Sequence, residues 1–315
     1  MNERYIGTAE DQRYIRTYLE NIRSVDPLEI ATIVNPVNLS DSSIQDMVDT
    51  GLFWDIVQQC TEECFKQYGV QLHHIESSRY YIAEPPEKTE IGGFYDKHCF
   101  GYQYWYHAAF SVALNKGIVS KEVLAVELAR GFLHDFFHHS TFRSFRRALR
   151  VPATSIEAGK RRVPEIYREQ YGVNFRNQDG LSYSSPELTV QSPQAINLNV
   201  LMDGAIVLIV AESMKQATRG YPPVTKKLEA EIMKEVFLES FDTVVLPRAH
   251  KFFRAVTEPS RLFIEHWGGK DFVARLLQSM MSGELEELKN FFGKQACNPV
   301  AWENTFKRSE FNLST

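Results

Sequence analysis

The chain contains 315 residues, of which 43% are hydrophobic and 24% are charged. These proportions are those of an ordinary globular protein and exclude collagen-like, disordered and membrane-spanning classes. The formal net charge of −5 argues against binding to duplex nucleic acid. Four cysteines are too few for a disulfide scaffold, so we expect a reducing compartment.

The N-terminal sequence predicts a cytoplasmic protein. Residues 1–4 run straight into polar sequence, without the apolar stretch of a secretory signal peptide. The longest apolar run, residues 204–211, lies between Asp203 and Glu212 and is far shorter than the roughly 20 residues that cross a bilayer. We therefore expect a buried helix there and no membrane span, while export by a signal-independent system stays open.

Apolar residues at intervals of three and four predict helices along most of the chain. The first covers residues 11–22, and two more fill residues 40–68 with a break at Gly51. Ser120 is a candidate N-cap for a helix that runs to about His139. Later predicted helices cover residues 196–216, 226–241, 248–256, 271–281 and 283–292.

Strand-like alternation is scarce in the sequence. Residues 79–82 and 243–246 alternate, but both stretches are too short to build a sheet. Residues 151–193 contain four prolines and are predicted to be a loose segment with a short helix at about 161–170. The pattern therefore predicts an all-α fold in which residues 1–315 form a single domain of several helices.

The residues suited to chemistry cluster at the end of the helix that follows Ser120. His134 and His138 are four residues apart and share a helix face, and Asp135 and His139 form a second pair rotated by about 100°. Their neighbours are apolar, and several uncompensated titratable groups are costly in an apolar setting. A metal ion would relieve this cost, because imidazole and carboxylate both bind Zn²⁺, Mn²⁺ or Fe. A polar helix face in contact with solvent is the plainer interpretation.

A further histidine, His107, lies 27 residues before His134. Asn115, Lys116 and Gly117 have the composition of a turn, so we expect His107 on a preceding, antiparallel helix. From there it would complete one side of the metal site, and a second carboxylate would come from elsewhere in the chain.

Residues 100–145 resemble the HD superfamily of metal-dependent phosphohydrolases, and within it the class I cyclic-nucleotide phosphodiesterases. The family motif Tyr-His-Asn-Trp-x-His-Ala-x-x-Val is similar to residues 102–112. The motif His-Asp-x-x-His-x-Gly-Thr-x-x-Ser is similar to residues 134–144. The resemblance implies an all-helical catalytic domain that hydrolyses a phosphate ester.

Carried over residue by residue, the resemblance implies one or two divalent ions, which would be Zn, Mg, Mn or Fe. His107, His134 and Asp135 would bind the first ion, and Asp135 would bridge to the second. His138 would lie just outside these ligands and hold a water. The family's remaining ligand is an aspartate on a later helix, which Asp203 matches best.

Two assignments stay open at this point. Glu212 and Glu127 are alternatives for the later carboxylate ligand. The family's histidine that protonates the leaving oxygen is replaced by Gln103, whose amide has no useful pKa. Either His138 or His139 is then the catalytic acid, or the leaving group needs none, or catalysis is lost.

The predicted reaction is hydrolysis of a phosphorylated small molecule or a phosphodiester by metal-activated water. Residues 143–168, which we call the basic segment, carry eight Lys or Arg and two Glu, a net charge of +6. This segment could attract a phosphorylated ligand. It could equally be a solvated face that pairs with the acidic C-terminal half.

Two functions from other classes stay open, and the sequence does not predict the oligomeric state. Residues 134–138 are similar to the zincin motif His-Glu-x-x-His of metallopeptidases, with His266 or Glu212 as a third ligand and no requirement for His107. A catalytically degenerate binding protein of the HD fold would account for Gln103.

Overall fold

The computed structural model describes residues 3–24, 34–46, 48–73, 77, 81–84, 91–94, 104–107, 121–150, 163–176, 182–184, 199–218 and 269–288. A short 3₁₀ helix lies at Ser42–Asp46. The α-helices in these ranges are α1 (Ala9–Arg23), α2 (Thr50–Tyr68), α3 (Lys121–Ser140), α4 (Asn199–Thr218) and α5 (Lys270–Ser282). No helix in this described part of the chain is long and apolar enough to span a membrane.

Strands in the described ranges form two mixed sheets. The strands are β1 (Glu3–Ile6), β2 (Val34–Asn38), β3 (Tyr81–Glu84), β4 (Ile91–Phe94), β5 (Tyr104–His107), β6 (Arg143–Arg150), β7 (Val163–Tyr171), β8 (Asn174–Arg176) and β9 (Ser182–Ser184). One sheet has the order β1-β6-β7-β8-β9, and only its β1–β6 pairing is parallel. The other has the order β2-β3-β5-β4, with β3 and β5 parallel. The predicted all-α fold is therefore wrong, and the described residues have an α+β architecture.

The strands did not show in the sequence because arginines occupy inward positions where apolar residues were expected. Arg143 and Phe145 alternate on one face of β6, and both are fully buried. Ile166 and Arg168 alternate in the same way on one face of β7, and both are buried. The short helix predicted at residues 161–170 is wrong for this reason, and the predicted loose segment contains β7, β8 and β9. Residues 79–82, judged too short for a sheet, overlap β3.

The strand β5 also corrects the predicted setting of the site. His107 is the last residue of this strand, so the expected pair of antiparallel helices carrying His107 and His134 is wrong. Both β4 and β5 contact α3, which keeps the strand next to the helix that carries the other histidines. The predicted turn at residues 115–117 lies outside the described residues.

The helical predictions are more accurate. α1, α3, α4 and α5 match the predicted residues 11–22, 120–139, 196–216 and 271–281 to within three residues at each end. α2 begins at Thr50 because the Asp49 side chain accepts a hydrogen bond from the Leu52 amide and caps it. Residues 286–288 form one helical turn within the predicted 283–292. The predicted helices at 226–241 and 248–256 lie outside the described residues, as does the stretch 243–246.

Two hydrophobic clusters hold these elements together. In the larger, α2, α3 and α4 contact one another, and Phe53, Trp54 and Phe132 meet edge to face with centroids 4.7–5.6 Å apart. In the smaller, Ile15 and Leu19 of α1 pack against the sheet at β6 and β7. The first cluster fixes the face of α3 that is opposite the candidate site, so the position of the helix is set by apolar burial.

A three-way junction fixes the C-terminal end of α3. The Phe142 amide donates to the Met280 carbonyl at 2.8 Å, and the Gly172 amide donates to the Phe142 carbonyl at 2.9 Å. Gln170 Nε2 lies 2.9 Å from the carbonyl oxygens of both Gly172 and Gly283. These bonds join the residues after α3, the end of β7 and the end of α5, and so bring β7 beside the last turn of α3.

Candidate metal centre

The last turns of α3 bring His134 and His138 together. Their Nε2 atoms are 3.0 Å apart, and their ring centroids are 4.6 Å apart. The contact follows from the helix itself, because residues four apart lie one above the other on the same face. His138 is buried, whereas His134 keeps part of its surface in solvent. We call these two side chains the histidine pair.

Tyr171, at the end of β7, is the second neighbour of His138. Its hydroxyl group forms a short hydrogen bond with His138 Nδ1 and lies 3.3 Å from the His138 carbonyl oxygen. The two rings stack with an interplanar angle of 21°. Each ring nitrogen of His138 therefore has its own partner, one in Tyr171 and one in His134.

The surroundings keep His134 neutral. Desolvation lowers the pKa of His134 well below its ordinary value of 6.5, and electrostatic interactions with His138 and Arg130 lower it further. A neutral imidazole has a free nitrogen lone pair, which is the form that binds metal ions.

Asp135 lies beside the histidine pair on the adjacent helix face. Desolvation raises the pKa of its carboxyl group to about 6, and electrostatic interactions with His138 and Arg130 only partly oppose this rise. A carboxyl group that ionises this close to neutral pH can serve as a general base or as a metal ligand.

The histidine pair fits a divalent ion as two of its ligands. Two nitrogens bound to one ion at about 2.1 Å lie roughly 3.0 Å apart at right angles and roughly 3.4 Å apart in the tetrahedral geometry of Zn²⁺, so the pair, at 3.0 Å, lies at the short end of this range. Among the side chains that the structure describes, no three His, Cys, Asp or Glu groups converge to hold a metal. A complete site therefore needs further ligands from side chains outside the described ones.

The other predicted ligands are placed by their backbone. His107 ends β5, and Asp203 lies in α4; both elements contact α3. Met202, the neighbour of Asp203, lies against Gly172 in the junction beside the last turn of α3. The side chains of His107, Asp203 and Glu127 lie outside the described ones, so the predicted convergence on one ion stays a prediction.

Glu212 and His139 have described side chains, and neither joins the histidine pair in a group of metal-binding side chains. Glu212 is exposed and its charge acts on Tyr68, at the end of α2. His139 is buried one position further round α3. Gln103 and His266 lie outside the described residues.

The described arginines of the basic segment make internal contacts. Arg146 Nε lies 2.7 Å from Glu169 Oε1, and Arg147 Nη1 lies 3.3 Å from Asp11 Oδ1. Arg143 is fully buried, donates to the His138 carbonyl at 2.8 Å and lies 4.0 Å from Glu3. These arginines, which lie in β6, connect this strand to the N-terminal elements and to β7. The described part of the basic segment is therefore neither a free phosphate-binding face nor a solvated face that pairs with the C-terminal half.

Sequence reasoning missed Tyr171. It is 33 residues from His138 and lies in a stretch that was predicted to be loose or helical. A tyrosine that ends a strand has no motif of its own. Only the pairing of β7 with β6, which begins three residues after the helix ends, places it beside α3.

The described residues define an α+β protein with two histidines and an aspartate near the end of one helix. Comparison of the chain with protein-family models, with curated proteins and with solved structures finds no match. What the site can do must therefore follow from its own donor atoms and their contacts.

Proposed function

We propose that this protein is a metal-dependent hydrolase of a phosphate ester. The observation that carries the proposal is the 3.0 Å contact between the Nε2 atoms of His134 and His138. Imidazoles at this spacing, one of them partly open to solvent, are suitable donors for Zn²⁺, Mn²⁺ or Fe²⁺, with Mg²⁺ a poorer match to nitrogen. A bound ion would supply an activated water and a counter-charge for the phosphoryl oxygens.

In this proposal the chain's own residues hold the ion and orient the substrate around it. His134 and His138 are two ligands. Asp135, which the described side chains do not bring together with the pair, becomes a third ligand when its side chain turns toward the ion. His107 and Asp203 are further ligands, supported by the contacts of β5 and α4 with α3. We assign His138 as a ligand and not as the catalytic acid, because its Nε2 atom lies 3.0 Å from that of His134 and its Nδ1 atom is bonded to Tyr171.

The resemblance to the HD superfamily supports the donor pattern and the phosphate ester as substrate. It does not extend to the fold, because the family is all-helical and the described residues of this chain form two sheets. The proposal therefore depends on the donor atoms near the end of α3 and not on the family's architecture.

Peptide hydrolysis is the second candidate function. A specific observation favours it: the histidine pair meets on one helix face with Asp135 directly after the first histidine. This is the arrangement of the His-Glu-x-x-His helix, in which the carboxylate is the general base and not a ligand. The raised pKa of Asp135, about 6, suits that role.

Removing either member of the histidine pair is expected to remove the metal. After dialysis against Zn²⁺ or Mn²⁺, elemental analysis should find ion bound to the natural protein and background levels in His134→Ala and His138→Ala. We expect affinity to fall about 100-fold or more, because each variant lacks a direct ligand. Hydrolysis of an aryl phosphodiester should be lost with the ion.

His73→Ala is the matched control for this experiment. Its backbone amide donates to Ser140 Oγ at 2.7 Å at the end of the same helix, and its imidazole is half-buried. This variant should keep both metal and activity. Natural protein that binds no metal, or full activity in His134→Ala and Asp135→Ala, would contradict the proposal.

Two further variants separate the candidate functions. A phosphohydrolase of the proposed kind needs His107 and Asp135 as ligands, so His107→Ala and Asp135→Asn should both lower metal content. A peptidase of the zincin kind should keep its metal in both variants and lose only peptide hydrolysis in Asp135→Asn. Bound metal without turnover of phosphodiesters or peptides would indicate a binding protein.

A further inference from the structure

The hydroxyl group of Tyr171 faces two atoms of His138 that differ in what they can do. The carbonyl oxygen, 3.3 Å away, can only accept a hydrogen bond. The other atom is the ring nitrogen Nδ1, which can donate or accept according to the tautomer. The hydroxyl group has one hydrogen for these two atoms. When the hydrogen is donated to the carbonyl, which also accepts from Arg143, a lone pair of the hydroxyl oxygen faces Nδ1.

This arrangement matches one tautomer of His138. Nδ1 satisfies the hydroxyl lone pair only when it carries a hydrogen, and a neutral imidazole carries only one. Nε2 then carries no hydrogen, and its lone pair faces His134 Nε2 at 3.0 Å. Metal-binding histidines are generally oriented in this way, by a hydrogen bond from the ring nitrogen that does not bind the ion.

We infer that Tyr171 is a positioning residue that fixes His138 as a donor toward the ion through its Nε2 atom. The inference rests on the proposed function, because it concerns the same histidine pair. Tyr171 was indicated by no motif in the sequence. In this inference it acts on His138 and does not contact the substrate.

Tyr171 is held firmly enough for this role. It is buried, with 5% of its surface exposed, and its ring stacks on that of His138. The Arg168 guanidinium lies 4.1 Å from the centroid of the Tyr171 ring. The next residue, Gly172, is bonded to Phe142 in the junction. The hydroxyl group is thus fixed relative to the last turn of α3.

The test compares Tyr171→Phe with the natural protein, both as full-length chains. In the metal-free protein, ¹⁵N NMR of the histidine rings should find His138 in the Nδ1–H tautomer, and the variant should shift toward Nε2–H. Co²⁺, followed by its visible absorption, should bind 10- to 100-fold more weakly to the variant. Tyr68→Phe, which removes the hydroxyl of another buried tyrosine, should change neither measurement.

Measuring the tautomer of His138 distinguishes a positioning role of Tyr171 from a merely structural one. General loosening of the fold would not convert one neutral form of the imidazole into the other. Natural protein with His138 in the Nε2–H form would overturn the inference. So would a variant that binds Co²⁺ as tightly as the natural protein with an unchanged tautomer, and the proposed function would then stand. Natural protein that takes up no Co²⁺ would overturn both.

Discussion

Asp135→Asn is expected to stabilise the metal-free protein by about 3 kcal/mol above pH 7 and to abolish hydrolysis. Desolvation raises the pKa of this carboxyl group from 3.8 to about 6, so the folded protein holds the proton more tightly than the unfolded chain. Below about pH 4 both states are protonated and ionisation costs nothing. Between pH 4 and 6 the unfolded chain loses its proton first, and stability falls as pH rises.

Above pH 6 the carboxyl group is ionised in both the folded and the unfolded protein, and the full cost of burying its charge reduces the free energy of unfolding. It amounts to roughly two pKa units at 1.36 kcal/mol each, or about 3 kcal/mol. Asparagine is neutral at every pH and avoids this cost. Urea unfolding in the presence of EDTA at pH 4.0, 5.0, 6.0 and 7.5 should therefore show the difference between Asp135→Asn and the natural protein growing from near zero to its plateau.

The exposed Asp46 provides a control for this pH series. Asp46→Asn is unfolded under the same conditions, so that the general effect of replacing an aspartate by asparagine can be subtracted. If the Asp135→Asn difference is flat between pH 4 and 6, the carboxyl group is not held in the desolvated state described here. A carboxyl group that weakens the fold in this way is typical of functional sites, which is why stability and activity are expected to change in opposite directions.

The helices of this protein could be predicted because their apolar residues recur at helical spacing. α1 is an example: Ile15 and Leu19 are buried on one face while the surrounding positions are exposed or partly so. β6 and β7 could not be predicted, because Arg143 and Arg168 are buried at strand positions where the pattern requires apolar residues. The charge of Arg143 is accommodated by Glu3, a partner distant in sequence that no local pattern reports.

The candidate site divides in the same way. The histidine pair was predictable because its contact depends only on the i, i+4 geometry of one helix. Tyr171, the neighbour of that pair, was not predictable, because it reaches His138 only through strand pairing and the junction. Local geometry thus gave the donor atoms, and tertiary structure gave the group that orients them.

Gly283→Ala is expected to destabilise the protein by about 2–5 kcal/mol and to disturb the site. Gly283 ends α5 with a φ of +74°, where alanine costs about 1–2 kcal/mol. A Cβ atom at this position would also lie 2.1 Å from Cδ1 of Phe142, a buried ring that must move to make room. Such overpacking costs about 1–3 kcal/mol more. Phe142 lies two residues after the end of α3, so its movement shifts the turn that carries His138.

Gly69→Ala isolates the steric part of this effect. Gly69 ends α2 with a φ of +67°, and its Cβ would meet nothing within 4 Å. This variant should therefore lose only the backbone cost of about 1–2 kcal/mol and keep its metal affinity. Phe142→Leu combined with Gly283→Ala should be less destabilising than the sum of the single changes, because the smaller side chain relieves the clash. Equal losses for the two glycines in urea unfolding would mean that Phe142 does not confine Gly283, and the junction would then not fix the end of α3 as described.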